Sequence, residues 1–238
     1  MYDLMLDTAD LASLKRGLAA WPVCGVTCNP SILKKAGKVD LYEHLARMKA
    51  LCGGKRSLHV QVVATTTRGM IEDAHCILER LGRDTYIKIP VSREGLPAIK
   101  QLAAEGVNIT ATAIYSTMQG MLAVLAGAKY IAVYYNRMEN NCVDPNQVIR
   151  EIRDFIDRSG SDAKVLGASF KNVCQVTSAY ANGAQSVTVA PDIVDSALGM
   201  ASIEGAVDAF TEDFESVYGK RATMLSVAGK PEVNYAAS

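Results

Sequence analysis

LDTADLAS, residues 6–13, is the turn that follows the first strand candidate, YDLML (2–6), and it decides which parallel α/β fold the chain adopts. Short β-rich runs alternate with longer segments of helical period, the mark of repeated strand–helix units. The other strand candidates are VCGVT (23–27), SLHVQV (57–62), TYIKIP (85–90), NITATA (108–113), YIAVYY (130–135), AKVLGAS (163–169) and SVTVA (186–190). Helical segments fall near 10–20, 40–52, 67–81, 93–105, 116–126, 145–158, 171–182 and 191–199. Eight such units suit a closed barrel, whereas an open doubly wound sheet usually has fewer strands and a glycine-rich first turn. LDTADLAS contains no GxGxxG, so the expected fold is α/β, a single (β/α)8 barrel of the TIM type.

No Pro/Gly/Ser-rich linker and no shift in composition divides the series, which places one domain over 1–218. An extra helix is expected at 202–217, where Ile203, Val207, Phe210, Phe214 and Val217 recur at roughly helical spacing. That stripe either seals the barrel or packs on a neighbouring subunit. Residues 219–238 are small and polar and read as a loose C-terminal tail.

Composition narrows the class of function. The 238 residues are 49% hydrophobic, enough for a sizeable core, and 25 basic residues balance 25 acidic ones. No global field steers the chain to nucleic acid or to an anionic membrane, which leaves a small molecule as the expected partner. Cys24, Cys28, Cys52, Cys76, Cys142 and Cys174 form no CxxC pair and have no histidine at ligand spacing. No metal or other cofactor is expected, and the setting is a reducing cytoplasm. The start, MYDLMLDTAD, lacks a basic n-region and an apolar h-region, and no apolar run reaches membrane-spanning length. A soluble, unprocessed chain is the expectation.

Barrel enzymes assemble their chemistry at the carboxyl ends of the strands. Strand one there delivers Asp7, strand two Thr27 and Asn29, strand three Gln61, strand four Lys88, strand five Thr112, strand six Tyr134 followed by Arg137, and strand seven Ser169 followed by Lys171. Several have plainer readings. Asp7-Thr8-Ala9-Asp10 also reads as a helix start with Thr8 or Asp10 as N-cap, and Asn29-Pro30-Ser31 as a turn. His59 reads as a satisfied interior histidine. Gln61 is harder to set aside, because its amide must find partners inside the barrel.

Lys88 is the informative residue. It stands in a run that is otherwise apolar, and a buried ammonium is disfavoured unless it is paired or gives up its proton. A desolvated, neutral lysine attacks a ketone or aldehyde to form a Schiff base; the plainer reading pairs it with Asp7. A Lys, an Asp and a Tyr at one barrel mouth fit acid/base work around a carbinolamine better than a stabilising ion pair. Arg137, Ser169 and Lys171 supply the fork, hydroxyl and ammonium that a sugar phosphate requires, unless the two cations are merely solvated surface charges.

The motifs LDTAD (6–10), GVTCNPS (25–31), QVVATT (61–66), IKIPV (87–91), TATAIYS (110–116), YIAVYYNR (130–137) and LGASFK (166–171) resemble the transaldolase family, in its short fructose-6-phosphate aldolase branch. The resemblance runs from about residue 3 to 219. It implies a barrel with a Schiff-base lysine on strand four, at Lys88. It implies Asp7 as the acid/base residue of the carbon–carbon bond step, Thr27 and Asn29 against the dihydroxyacetone portion, and Arg137, Ser169 and Lys171 around the far phosphate. It also implies a ring-based homo-oligomer, commonly a decamer, with the C-terminal helix lying across a neighbour.

Two chemistries compete within that family. Transaldolases typically have Glu, Phe and often Ser where this chain has Gln61, Tyr134 and Ala132, and here all three look like the aldolase branch. Gln61, Thr112 and Tyr134 would hold one water, and the tyrosine would supply a proton to the bound three-carbon enamine. The expected reaction is class I aldol cleavage or formation of fructose 6-phosphate, from or to dihydroxyacetone and glyceraldehyde 3-phosphate. The alternative is transaldolase transfer of the dihydroxyacetone unit between sugar phosphates. Two departures bear on the substrate: Cys28 stands where a second threonine is usual, and MENNCVDPNQ (138–147) replaces a glycine-rich stretch. Arg137 and Ser169 would hold a phosphate or a sulfonate alike. A metal-dependent barrel enzyme would need more than the one carboxylate at the strand ends, and a non-catalytic sugar-phosphate binder would have no use for Lys88.

Overall fold

The computed structural model describes residues 2–37 and 39–229, so residues 230–238 of the expected tail lie outside the described residues. Eight parallel strands close on themselves: β1 (Asp3–Asp7), β2 (Gly25–Thr27), β3 (Ser57–Gln61), β4 (Tyr86–Pro90), β5 (Ile109–Ile114), β6 (Tyr130–Tyr134), β7 (Lys164–Ala168) and β8 (Ser186–Val189). β1 pairs with β2 on one side and with β8 on the other, Leu4 opposite Val187, which completes the TIM barrel. The helices are α1 (Leu11–Ala20), α2 (Pro30–Lys35), α3 (Leu41–Cys52), α4 (Thr67–Leu81), α5 (Gly95–Ala104), α6 (Thr117–Leu125), α7 (Tyr135–Asn140), α8 (Pro145–Ser159), α9 (Val173–Ala181), α10 (Pro191–Leu198), α11 (Ala201–Tyr218) and α12 (Met224–Val227). The chain divides into two compact units, Met1–Val194 and Asp195–Ser238.

The strand candidates read from sequence coincide with the observed strands to within two residues at either end. They were legible because strands buried on both faces read as near-continuous apolar runs. Three short helices are additions. α2 begins where a turn was expected, because Asn29 caps it by accepting from the Ile32 amide at 3.0 Å and Pro30 occupies its first turn. α7 takes over at Tyr135, the last residue of the expected sixth strand, and α12 is a single turn.

Alternation along the strands sends Val26, Leu58, Ile87, Ile89, Ile109, Ile131, Val165 and Val187 outward into the shell of helices, all buried. The inward residues are layered. At the amino ends Asp3 accepts from Lys164 at 2.6 Å, from Ser186 at 3.0 Å and from Tyr130 at 3.4 Å. Met5, Ala132 and Leu166 form a small apolar cluster with Cys24 and Tyr130 packed against it. His59 is the satisfied interior histidine expected from sequence: its ring nitrogens lie 2.7 Å from Thr110 Oγ1 and 2.9 Å from Ser57 Oγ, and Tyr86 stacks on it. Burial holds its pKa well below the usual value, so the imidazole is neutral. Among the described residues, these side chains fill the amino-terminal part of the barrel interior.

In the second unit no residue of α11 is buried. Its apolar stripe, Ile203, Val207, Phe210 and Val217, is exposed.

Candidate active site

A cavity of about 200 Å³ opens at the carboxyl ends of the strands. Asp7, Asn29, Lys88, Tyr134, Arg137, Ser169 and Lys171 all line it, which brings together seven of the ten residues singled out from sequence. Thr27, Gln61 and Thr112 are not part of that lining. Thr27 and Thr112 hydrogen-bond to its lining through Asp7 and Tyr134, whereas Gln61 lines a separate cavity with Leu33, Tyr42 and Val62.

Lys88 is 4% exposed and makes no hydrogen bond or ion pair among the described residues. No direct contact closes the pairing with Asp7 weighed above, although the charge of Lys88 still acts on that carboxylate. Asp7 Oδ1 instead accepts from Thr27 Oγ1 at 2.5 Å, and the Thr27 and Thr188 hydroxyls lie 2.7 Å apart. Burial pushes the Asp7 pKa up, opposed by the charge of Lys88, the Thr27 hydrogen bond and the charge of Lys35. The N-cap of α1 is Asp10, which accepts from the Ser13 amide at 2.7 Å, so capping leaves Asp7 free for the cavity. Cys28, beside Thr27, is fully buried and its pKa is pushed up to about 12, a neutral thiol.

Tyr134 is held from three sides. Thr112 Oγ1 donates to its phenolic oxygen at 3.1 Å, the Tyr115 ring meets it edge-on with centroids 5.6 Å apart, and the Arg137 guanidinium lies 4.7 Å above its ring. Because Thr112 is the donor, the phenolic proton of Tyr134 is not consumed by that contact. Thr112 owes its position to a break in regularity: the β5–β6 register shifts between Ala111 and Ile114, and Ala113 sits at φ 58°. Gln61 lies opposite Lys88 in the β3–β4 register, and its Oε1 is buried without a hydrogen-bond partner. An orphan acceptor of that kind is costly unless something occupies the space beside it.

The cationic end is built by loops. Arg137, on α7, donates to the Tyr115 hydroxyl at 3.2 Å. Ser169, just past β7, is held at φ 64°, a left-handed conformation that costs a non-glycine residue energy and tends to mark functional sites. Gln175 on α9 couples these pieces: it accepts from the Lys171 amide at 2.7 Å and donates to Asn136 at 3.0 Å and to Glu139.

Sequence reasoning missed Ser31, Lys35, Phe170 and Thr188, which also line the cavity. Ser31 and Lys35 belong to α2, and its start was signalled by Asn29 followed by Pro30. Thr188 lay in plain view on the eighth strand candidate, but only the register shows which of its residues face inward. No group of three or more metal-ligating side chains converges among the described residues. None of their helices is long and apolar enough to cross a membrane.

An eight-stranded barrel whose carboxyl ends bring a buried lysine, an aspartate and a tyrosine beside a basic pocket has the layout of a TIM-barrel enzyme. Residues 4–228 match the family described as transaldolase/fructose-6-phosphate aldolase, and the chain belongs to that family. It is an enzyme of the aldolase and transaldolase kind. A protein of Streptococcus pneumoniae (strain ATCC 700669 / Spain 23F-1) described as "Probable fructose-6-phosphate aldolase" is 46% identical to it over 220 residues, 92% of this chain and 99% of that protein.

Proposed function

We propose that the protein is a class I aldolase that cleaves fructose 6-phosphate to dihydroxyacetone and glyceraldehyde 3-phosphate, or runs the reverse, through a Schiff base on Lys88. The observation that carries this reading is Lys88 itself: buried, unpaired among the described residues, and on the wall of a cavity shared with Asp7 and Tyr134. A lysine held this way is set up as a nucleophile rather than as half of an ion pair.

The Lys88 amine adds to the C2 carbonyl, and the carbinolamine loses water to give an iminium. Asp7 takes the C4 hydroxyl proton, the C3–C4 bond breaks, and its electron pair neutralises the iminium as an enamine while glyceraldehyde 3-phosphate leaves. C3 is then protonated, water adds at C2, and the amine departs to release dihydroxyacetone. Tyr134, with its own proton uncommitted to Thr112, supplies that proton, and the orphan Gln61 Oε1 accepts from the same water. Arg137, Ser169 and Lys171 take the terminal phosphate, or an equivalent sulfonate. Asn29 contacts the dihydroxyacetone end. Thr27, whose hydroxyl is spent on Asp7 and Thr188, acts through Asp7 rather than on the substrate directly.

Purified protein is to be assayed with fructose 6-phosphate, alone and with erythrose 4-phosphate, following glyceraldehyde 3-phosphate. Release without the acceptor is expected; release only with it would make the protein a transaldolase. Silence in both, with Lys88 still trapped by borohydride and dihydroxyacetone, would point to another donor such as a sulfonated sugar. Six free cysteines support a reducing compartment, the cytoplasm. The exposed stripe of α11 supports a homo-oligomer, for which the resemblance to the short branch of the family implies a decamer.

A further inference from the structure

Thr188 on β8 has no part in the reading above, yet its hydroxyl is joined to Asp7 through one intermediary. Thr27 is fully buried and Thr188 is 2% exposed. Their hydroxyls lie 2.7 Å apart, and Thr27 donates to Asp7 Oδ1 at 2.5 Å. Proton counting gives the chain a direction. An ionised carboxylate has no proton, and Thr27 has one, which it spends on Asp7. The Thr27–Thr188 contact must therefore be made by the Thr188 proton.

We propose that Thr188 is a positioning residue for proton transfer at Asp7, the last donor in a buried Thr188-to-Thr27-to-Asp7 hydroxyl chain that fixes one carboxylate oxygen and leaves the other for substrate. Asp7 Oδ2 makes no hydrogen bond among the described residues, which fits that division of labour. Each donor in such a chain polarises the next, so Thr188 strengthens the hydrogen bond that favours the charged carboxylate. The other groups facing Asp7 are Lys88 from β4, Lys35 from α2 and the neutral Cys28 thiol. Asp10 and Asp192 border the adjoining cavity, which Asp7 also lines. None of them supplies a donor to Thr27.

The proposal rests on the reading of Asp7 as the base of the aldol step, and its test has a readout independent of that reading. Asp7 is to be titrated by carbon-13 NMR of the ¹³C-aspartate-labelled protein, with Asp7→Asn assigning the signal, and the pH dependence of kcat is to be measured beside it. In Thr188→Val the Asp7 titration is expected to move up by on the order of 0.3 pH unit, and the acidic limb of kcat to move with it at nearly constant KM. Thr188→Ser should restore both. An unmoved titration in folded Thr188→Val, or a Ser variant that behaves like Val, overturns the proposal. Should the Val variant not fold, Thr188→Cys, with its weak S–H donor, carries the same test. A shifted titration in a protein without aldolase activity would sustain the chain and sink the functional reading; activity without the shift would do the reverse.

Discussion

At the level of single residues, the cavity holds groups whose presence costs stability. Asp7 is the clearest case, because burial raises its pKa from the ordinary 3.8 despite two lysines and a hydroxyl donor. A carboxyl whose folded pKa is raised contributes stability that is fully present below the unfolded value and lost as pH rises through the folded value. At neutral pH the charge is therefore a burden on the folded state. Asp7→Asn, which keeps an acceptor for Thr27, is expected to abolish aldol cleavage and to stabilise the protein at pH 7 by on the order of 1 kcal/mol. That gain should fade as the pH falls toward the ordinary carboxylate range. Denaturant titrations at pH 7 and pH 4 check it, and a variant no more stable at pH 7 would show that the charge is not costly. This residue, like Lys88, was legible in the sequence because a charged side chain at the end of an apolar strand has few uses. Thr188 was not, because a threonine in a β-rich run is also an ordinary strand former.

At the level of elements, the strands set where the lysine and aspartate stand, while short helices and loops set where the cations stand. Gly95 shows how tightly the end of β4 is held: a Cβ there would lie 1.9 Å from the Pro90 carbonyl oxygen, two residues beyond Lys88. The cationic end depends instead on the Gln175 side chain, which ties Lys171 to Asn136 and Glu139 on α7. Losing three hydrogen bonds should free the segments bearing Arg137 and Ser169 without disturbing the barrel interior. Gln175→Ala is expected to raise KM for fructose 6-phosphate about tenfold, roughly the effect of one well-made hydrogen bond. Borohydride trapping of Lys88 with dihydroxyacetone, which carries no phosphate, should be unchanged. Equal losses in both assays would mean that Gln175 supports the whole site rather than its anion end. α2 and α7 escaped the sequence reading for a physical reason: six residues complete fewer than two turns, too few for an apolar period to show.

For the whole molecule, the barrel could be inferred from the number of strand–helix units, but its closure is a long-range fact. Leu4 opposite Val187 pairs residues from opposite ends of the first unit, and no local pattern encodes that partner. The same limit applies to α11. Its stripe was legible from period alone, but a period says only that a face wants burial, not what covers it. Phe210 is 70% and Val217 71% exposed in the single chain, a run of large apolar side chains on one helix that a monomer would leave in water. If these side chains cover a neighbour in a homo-oligomer, each Phe210 contributes roughly 1.5–3 kcal/mol at every copy of the contact. Replacing it by a carboxylate would desolvate a charge there as well. Phe210→Glu combined with Val207→Glu is therefore expected to lower the mass measured by light scattering at micromolar concentration to that of smaller assemblies, with far-UV circular dichroism retained. A wild-type protein that is already monomeric, or a doubly substituted one of unchanged mass, would remove α11 from the interface.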